Sequence, residues 1–166
     1  MLGDSITARL AYSQLADRTD IAIYSVGYTA EDCFNALPIV YGLNPEICFI
    51  GVGINDLYYR IPVQIIVDKM NKIIDGLEEN GIRPIIQSLI YFLPRNPSYE
   101  MYYKVLDELN YEYRNLCHER NIEFINLNSV LSENGVLKEE YKDYGYLNSL
   151  GMDEWIKLLL SIIDAD

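Results

Sequence analysis

The chain has 166 residues, half of them hydrophobic, and a formal net charge of −12. That length suits one domain with a proper core, spanning 1–166. A balance this acidic argues against nucleic acid and anionic membranes as partners, because phosphates are repelled; it says little about a neutral ester, a sugar or a protein.

In chain order, Met1-Leu2 is a short hydrophobic stub that runs into Gly3-Asp4-Ser5-Ile6. Ile6 to Leu15 reads as a helix, so the opening is a strand-to-turn-to-helix junction with a serine at the turn. Ile21 to Ser25 reads as a short strand ending at Gly27, and Thr29 to Leu37 as a short helix capped by Thr29. Ile47 to Val52 is a buried strand. Ile61 to Leu77 is a long amphipathic helix stopped by Asn80-Gly81. Pro84 to Leu89 is a strand, Leu93 to Pro97 a loop, and Ser98 to Arg120 a long tyrosine-rich helix. Ile122 to Leu127 is the last strand. An irregular segment with Asn134-Gly135 follows, and the final helix covers about Leu150 to Ile163. Strands alternating with helices imply a central parallel sheet covered on both faces, a three-layer α/β/α sandwich. Only Met1 and Leu2 precede Gly3, so the first strand reads as truncated. That expectation includes residues missing upstream and unpaired backbone on the neighbouring strands.

Cysteines 33, 48 and 117 form no Cys-x-x-Cys pair. They read as buried free thiols of a reducing compartment, which places the chain in the cytoplasm. No run of eighteen apolar residues suggests a membrane span, and no signal peptide is visible. Neither a metal-ligand cluster nor a phosphate loop is present in the sequence, so no cofactor is expected.

In a sheet of this kind ligands bind beyond the C-terminal strand ends. Four loops matter there, after Gly3, Ser25, Val52 and Leu89, and the segment between Leu127 and Leu150 can cover the same face; the first three carry the oxyanion donors. Ser5 exposes a hydroxyl and its N–H. Gly27 lets the backbone approach a ligand closely. Gly51-Val52-Gly53-Ile54-Asn55-Asp56 frees the backbone and supplies the Asn55 amide. The N–H groups of Ser5 and Gly27 with the Asn55 side chain make three donors around one oxyanion, the arrangement that acyl transfer needs. Each piece alone also reads as an ordinary turn or helix cap. Asp4, Asp56, Tyr58 and Tyr91 are the candidate substrate contacts, the tyrosines because aromatic faces suit a sugar or an aromatic acyl group; packing explains these rings equally well. Tyrosines along the helix at 98–120 read as packing or as a homodimer face.

On these motifs, and on Asp143-Tyr144-Gly145-Tyr146-Leu147-Asn148, the chain resembles the SGNH, or GDSL, hydrolases. The resemblance covers nearly the whole chain. It implies a flavodoxin-like fold and an esterase, lipase or carbohydrate deacetylase acting through an acyl-serine. By position, Ser5 is then the nucleophile, Ser5, Gly27 and Asn55 the oxyanion donors, and Asp143 the acid that orients the base. The family pattern has histidine where this chain has Tyr146. A phenol at neutral pH donates a proton and does not accept one. The single histidine, His118, belongs to the opposite edge of the sheet. Two expectations follow: an esterase of weak or unusual activity on a small ester, with O-acetylated carbohydrate as one candidate, or a protein that binds an acyl group or sugar without turnover. A scaffold protein is the third.

Overall fold

The computed structural model of the protein describes residues 1–18, 20–25, 29–92, 97–143 and 146–165. Five parallel strands form the central sheet: β1 (Leu2–Gly3), β2 (Tyr24–Ser25), β3 (Ile47–Gly51), β4 (Arg83–Gln87) and β5 (Glu123–Ile125), in the order β2-β1-β3-β4-β5. Alternation along the strands separates two cores. Phe49 and its register partner Ile85 point to one face, and Ile50 and Ile86 to the other. Helices cover both faces, so the fold is a three-layer α/β/α sandwich.

Helices α2 (Ala30–Asn35), α3 (Leu37–Leu43), α5 (Val63–Glu79) and α6 (Glu100–Arg120) cover the Ile50 face. The α5 stripe is Ile66, Met70, Ile73, Ile74 and Leu77, a helical period that lands on one face. Gly81, at φ 71°, ends that helix. Arg120 of α6 pairs with Asp75 and Glu78 of α5 at 2.7 and 2.5 Å. The Phe49 face is covered by α1 (Ser5–Ala8), α7 (Asn128–Leu131) and α8 (Ser149–Ile163), which contributes Trp155, Ile156 and Leu159. Helix α4 (Ile54–Tyr58) follows β3 and packs its Leu57 into the core of the Ile50 face.

Short as it is, β1 lies inside the sheet, with Leu2 in register with Tyr24 on one side and Ile50 on the other. Met1 extends the pairing to β2: its carbonyl accepts from the Tyr24 N–H at 2.8 Å, and its ammonium donates to the Ala22 carbonyl at 2.6 Å. Next to β3 the pairing stops at Leu2, so Ile47 to Phe49 are in register with β4 alone among the described residues.

Three local readings differ from the sequence expectation. Instead of one helix over 6–15, α1 is four residues long and is followed by 3₁₀ turns at Arg9–Tyr12 and Gln14–Asp17. Ser13 causes the break: its extended backbone and its hydroxyl, accepting from the Leu15 N–H, start a new turn. The helix after Thr29 continues as α3, because Pro38 stands in that helix's first turn, where proline is tolerated. The irregular stretch holds two small hairpins. Strands β6 (Ser132–Glu133) and β7 (Val136–Leu137) flank Asn134-Gly135, both at positive φ. Strands β8 (Lys142–Asp143) and β9 (Tyr146–Leu147) form the second.

Candidate active site

The opening motif is fixed by its neighbours. Asp4 caps α1, its Oδ1 accepting from the Ile6 N–H at 2.9 Å, while its carbonyl accepts from the Ala8 N–H and from the Ser25 hydroxyl. Gly3 has no alternative. A Cβ there would lie 2.1 Å from Thr7 Oγ1 and 2.6 Å from the Gly51 carbonyl. The helix thus turns back directly over the strand ends and leaves Ser5, its first residue, exposed.

Asn55 is presented by a second tight junction. Gly53 sits at φ 135°, a region open to glycine, with Leu109, Tyr113 and Leu89 packed where a side chain would start. The buried Tyr113 hydroxyl donates to the Val52 carbonyl at 3.0 Å. One residue on, Asp56 is 2% exposed and both its oxygens accept from the Ala30 N–H, at 3.2 and 3.0 Å. Asp56 therefore ties the start of α2 to α4. Thr29 and Asp32 complete that start with a reciprocal capping box.

Burial pushes the Asp4 carboxyl up to about 6, against the pull of the N–H groups it accepts from, and the Asp56 charge adds to the rise. Asp56 is likewise pushed up to about 6 by burial, partly offset by the Ala30 N–H. Both carboxylates hold backbone, and neither lines the groove described next.

Ser5, Asn55 and Tyr146 line one groove of about 1140 Å³. Its walls are mainly apolar, from Ile54 and Leu57 on α4 to Tyr102 and Val105 on α6. Tyr58 lines it too, 76% exposed and edge-on to Tyr59 at 5.8 Å. Tyr91 does not: its ring packs on Tyr103 at 5.7 Å and its hydroxyl donates to Asp107 at 2.7 Å. Gly27 lies outside the described residues. Asp143 is exposed on β8, opposite Tyr146 in the antiparallel register, and is not part of the groove wall. His118 is exposed near the end of α6, beside the start of β5 and away from the strand ends that carry Ser5.

Three features had no signal in the sequence reading. The Arg9 guanidinium lies 3.8 Å from the centre of the Tyr146 ring, with Phe92 6.5 Å from the same ring. Gln87, at the end of β4, is fully buried; its Oε1 accepts from the Trp155 indole at 2.6 Å, and its Nε2 has no partner among the described residues. Asn110 of α6 clamps the chain after β4, accepting from the Leu89 N–H at 2.7 Å and donating to the Leu89 carbonyl at 3.0 Å.

The model of the GDSL-like lipase/acylhydrolase family matches residues 1–153. A search of curated proteins found no match. Among solved structures, the fold is similar to that of a GDSL-like lipase from Bacteroides thetaiotaomicron (TM-score 0.86, 18% identity, covering 99% of this chain and 86% of that one). It is also similar to the psychrotrophic esterase EstA from Pseudoalteromonas, solved inhibited by monoethylphosphonate (TM-score 0.66, 16% identity, 98% and 96% covered). The OSK domain of Drosophila Oskar shares the fold as well (TM-score 0.68, 19% identity, 96% and 86% covered).

Proposed function

This chain belongs to the GDSL-like lipase/acylhydrolase family, and we propose that it takes an ester into the Ser5 groove and transfers the acyl group to the Ser5 hydroxyl. The observation that carries this reading is the shared groove: an exposed serine at a strand-to-helix turn and the Asn55 amide line the same apolar cleft. Ser5 Oγ attacks the ester carbonyl. The carbonyl oxygen gains charge, which the Ser5 N–H and the Asn55 amide stabilise, with Gly27 N–H as the third donor. The C–O bond to the alcohol breaks, and the alcohol leaves with the proton lost by Ser5. Water then attacks the acyl-serine, releasing the carboxylic acid and restoring the hydroxyl.

The base is where this chain differs. Tyr146 occupies the position of the family's histidine and donates a hydrogen bond to the reacting groups. Proton removal falls to a water held by the exposed Asp143, on the strand opposite Tyr146. Turnover is slow for that reason. Loss of the histidine in a serine-hydrolase triad costs on the order of 10⁶ in turnover, with roughly 10³–10⁴ over water retained by oxyanion donors and binding. The width and apolarity of the groove favour an ester with an apolar acyl chain over an acetylated sugar.

The second reading, acyl binding without turnover, is favoured by the Arg9 guanidinium stacked on Tyr146, which occupies one face of that ring. One experiment separates the two. The chain, Ser5→Ala and Tyr146→His are exposed to p-nitrophenyl octanoate and to an alkyl p-nitrophenyl phosphonate. Steady release of p-nitrophenol together with a phosphonate adduct by intact mass, both lost in Ser5→Ala, supports the hydrolase. Turnover gained only in Tyr146→His supports the binding protein. An adduct that survives Ser5→Ala refutes Ser5 as the nucleophile.

A further inference from the structure

Among the described residues, seven adopt a positive φ. Three are glycines and three are asparagines, the residue types that tolerate this region. The seventh is Arg60, at φ 58°. It stands just past α4, where the Arg60 N–H donates to the Leu57 carbonyl and the Ile61 N–H to the Asp56 carbonyl, closing the helix in the motif that usually has glycine at this place. A bulky side chain is therefore held where the backbone disfavours one.

That side chain is a cation on an apolar wall. Arg60 lines the Ser5 groove beside Ile61, Pro62 and Tyr58. It has no ion-pair or hydrogen-bonded side-chain partner among the described residues. Arg18, Arg83, Arg120, Lys69, Lys142 and Lys157 pair with carboxylates, and Arg9, Arg114 and Lys138 lie over aromatic rings; Arg60 does neither among the described residues. Arg60 therefore offers the groove a guanidinium that no carboxylate of the chain occupies among the described residues. An arginine fork matches a carboxylate or phosphate oxygen pair.

We propose that Arg60 is a specificity residue of this groove, recognising an anionic group on an otherwise apolar ester. This rests on the reading that the Ser5 groove is the substrate site. The substrate class is then an amphiphile: an apolar chain along the walls formed by α4 and α6, and a carboxylate or phosphate at Arg60.

The test is binding in the Ser5→Ala chain, which removes turnover. Isothermal titration compares methyl hydrogen suberate and monooctyl phosphate with the neutral methyl octanoate. Replacement by Arg60→Asn, a residue that accepts the same backbone, is expected to weaken both anionic ligands roughly five-fold relative to the neutral one, and Arg60→Lys to restore most of that preference. The preference is expected to shrink between low and high salt. Loss in only one anion identifies carboxylate or phosphate as the group read. An equal loss for neutral and anionic ligands assigns Arg60 to packing and overturns the proposal, as does an unchanged ratio or no binding of any ligand. Turnover that survives Ser5→Ala refutes the acyl-Ser5 reading, and leaves the binding comparison at Arg60 to be judged by its own ratio.

Discussion

Asp4, the residue before Ser5, makes stability fall as pH rises towards neutrality. Burial raises its carboxyl from 3.8 to about 6 in the folded chain. The folded state therefore holds the proton more tightly than the unfolded state. The stability that this proton contributes is complete below about 3.8 and is lost as pH rises through about 6. The gap corresponds to about 3 kcal/mol in full, of which about 2 kcal/mol falls between pH 7 and pH 4.5. Asp4→Asn keeps an oxygen to accept from the Ile6 N–H and removes the titration. Urea unfolding of the two proteins at pH 7, 6, 5 and 4.5 reads the difference directly, since the other carboxylates are common to both. The chain is expected to gain on Asp4→Asn by about 2 kcal/mol on acidification. A difference that stays flat, or that moves the other way, refutes the argument that burial dominates at Asp4.

Three further outcomes follow from the packing around the groove. Gly53→Ala forces a methyl group into a φ of 135° and against Leu109 and Tyr113, and is expected to cost ~2–4 kcal/mol in urea unfolding. Asn110→Leu leaves the buried Leu89 N–H without its acceptor, while the Leu89 carbonyl keeps the Asn128 Nδ2 donor at 2.7 Å; the expected loss is ~1–3 kcal/mol, and a variant as stable as the parent would show that this clamp is dispensable. Trp155→Phe leaves the buried Gln87 Oε1 without its donor and is expected to lower stability by ~1–3 kcal/mol; Trp155→Phe with Gln87→Met, which removes both polar partners, is expected to recover part of that.

The three layers were legible in local pattern, as was the strand-to-turn-to-helix junction that carries Ser5. The unbroken apolar runs through Phe49-Ile50 and Ile85-Ile86 read as buried strands, and the stripe from Ile66 to Leu77 as one face of a helix; both signals are local. Gly53 was legible as a residue that frees the backbone before Asn55, but its φ of 135° and the clash that a Cβ would meet at Gly3 come from the structure. Packing sets which side chain faces the groove and which holds backbone. Asp4 and Asp56 read as substrate contacts, yet each sits 2% exposed and accepts backbone N–H groups, one of them 26 residues away. Tyr58, after the Asn55-Asp56 loop, and Tyr91, after a strand, both read as site-edge aromatics, but only Tyr58 lines the groove; the Tyr91 hydroxyl is held by Asp107 of α6. Arg9 on Tyr146 and Arg60 on the groove wall have no motif at all. Their roles depend on distances between segments far apart in the chain, and those distances are set by how the helices pack on the sheet.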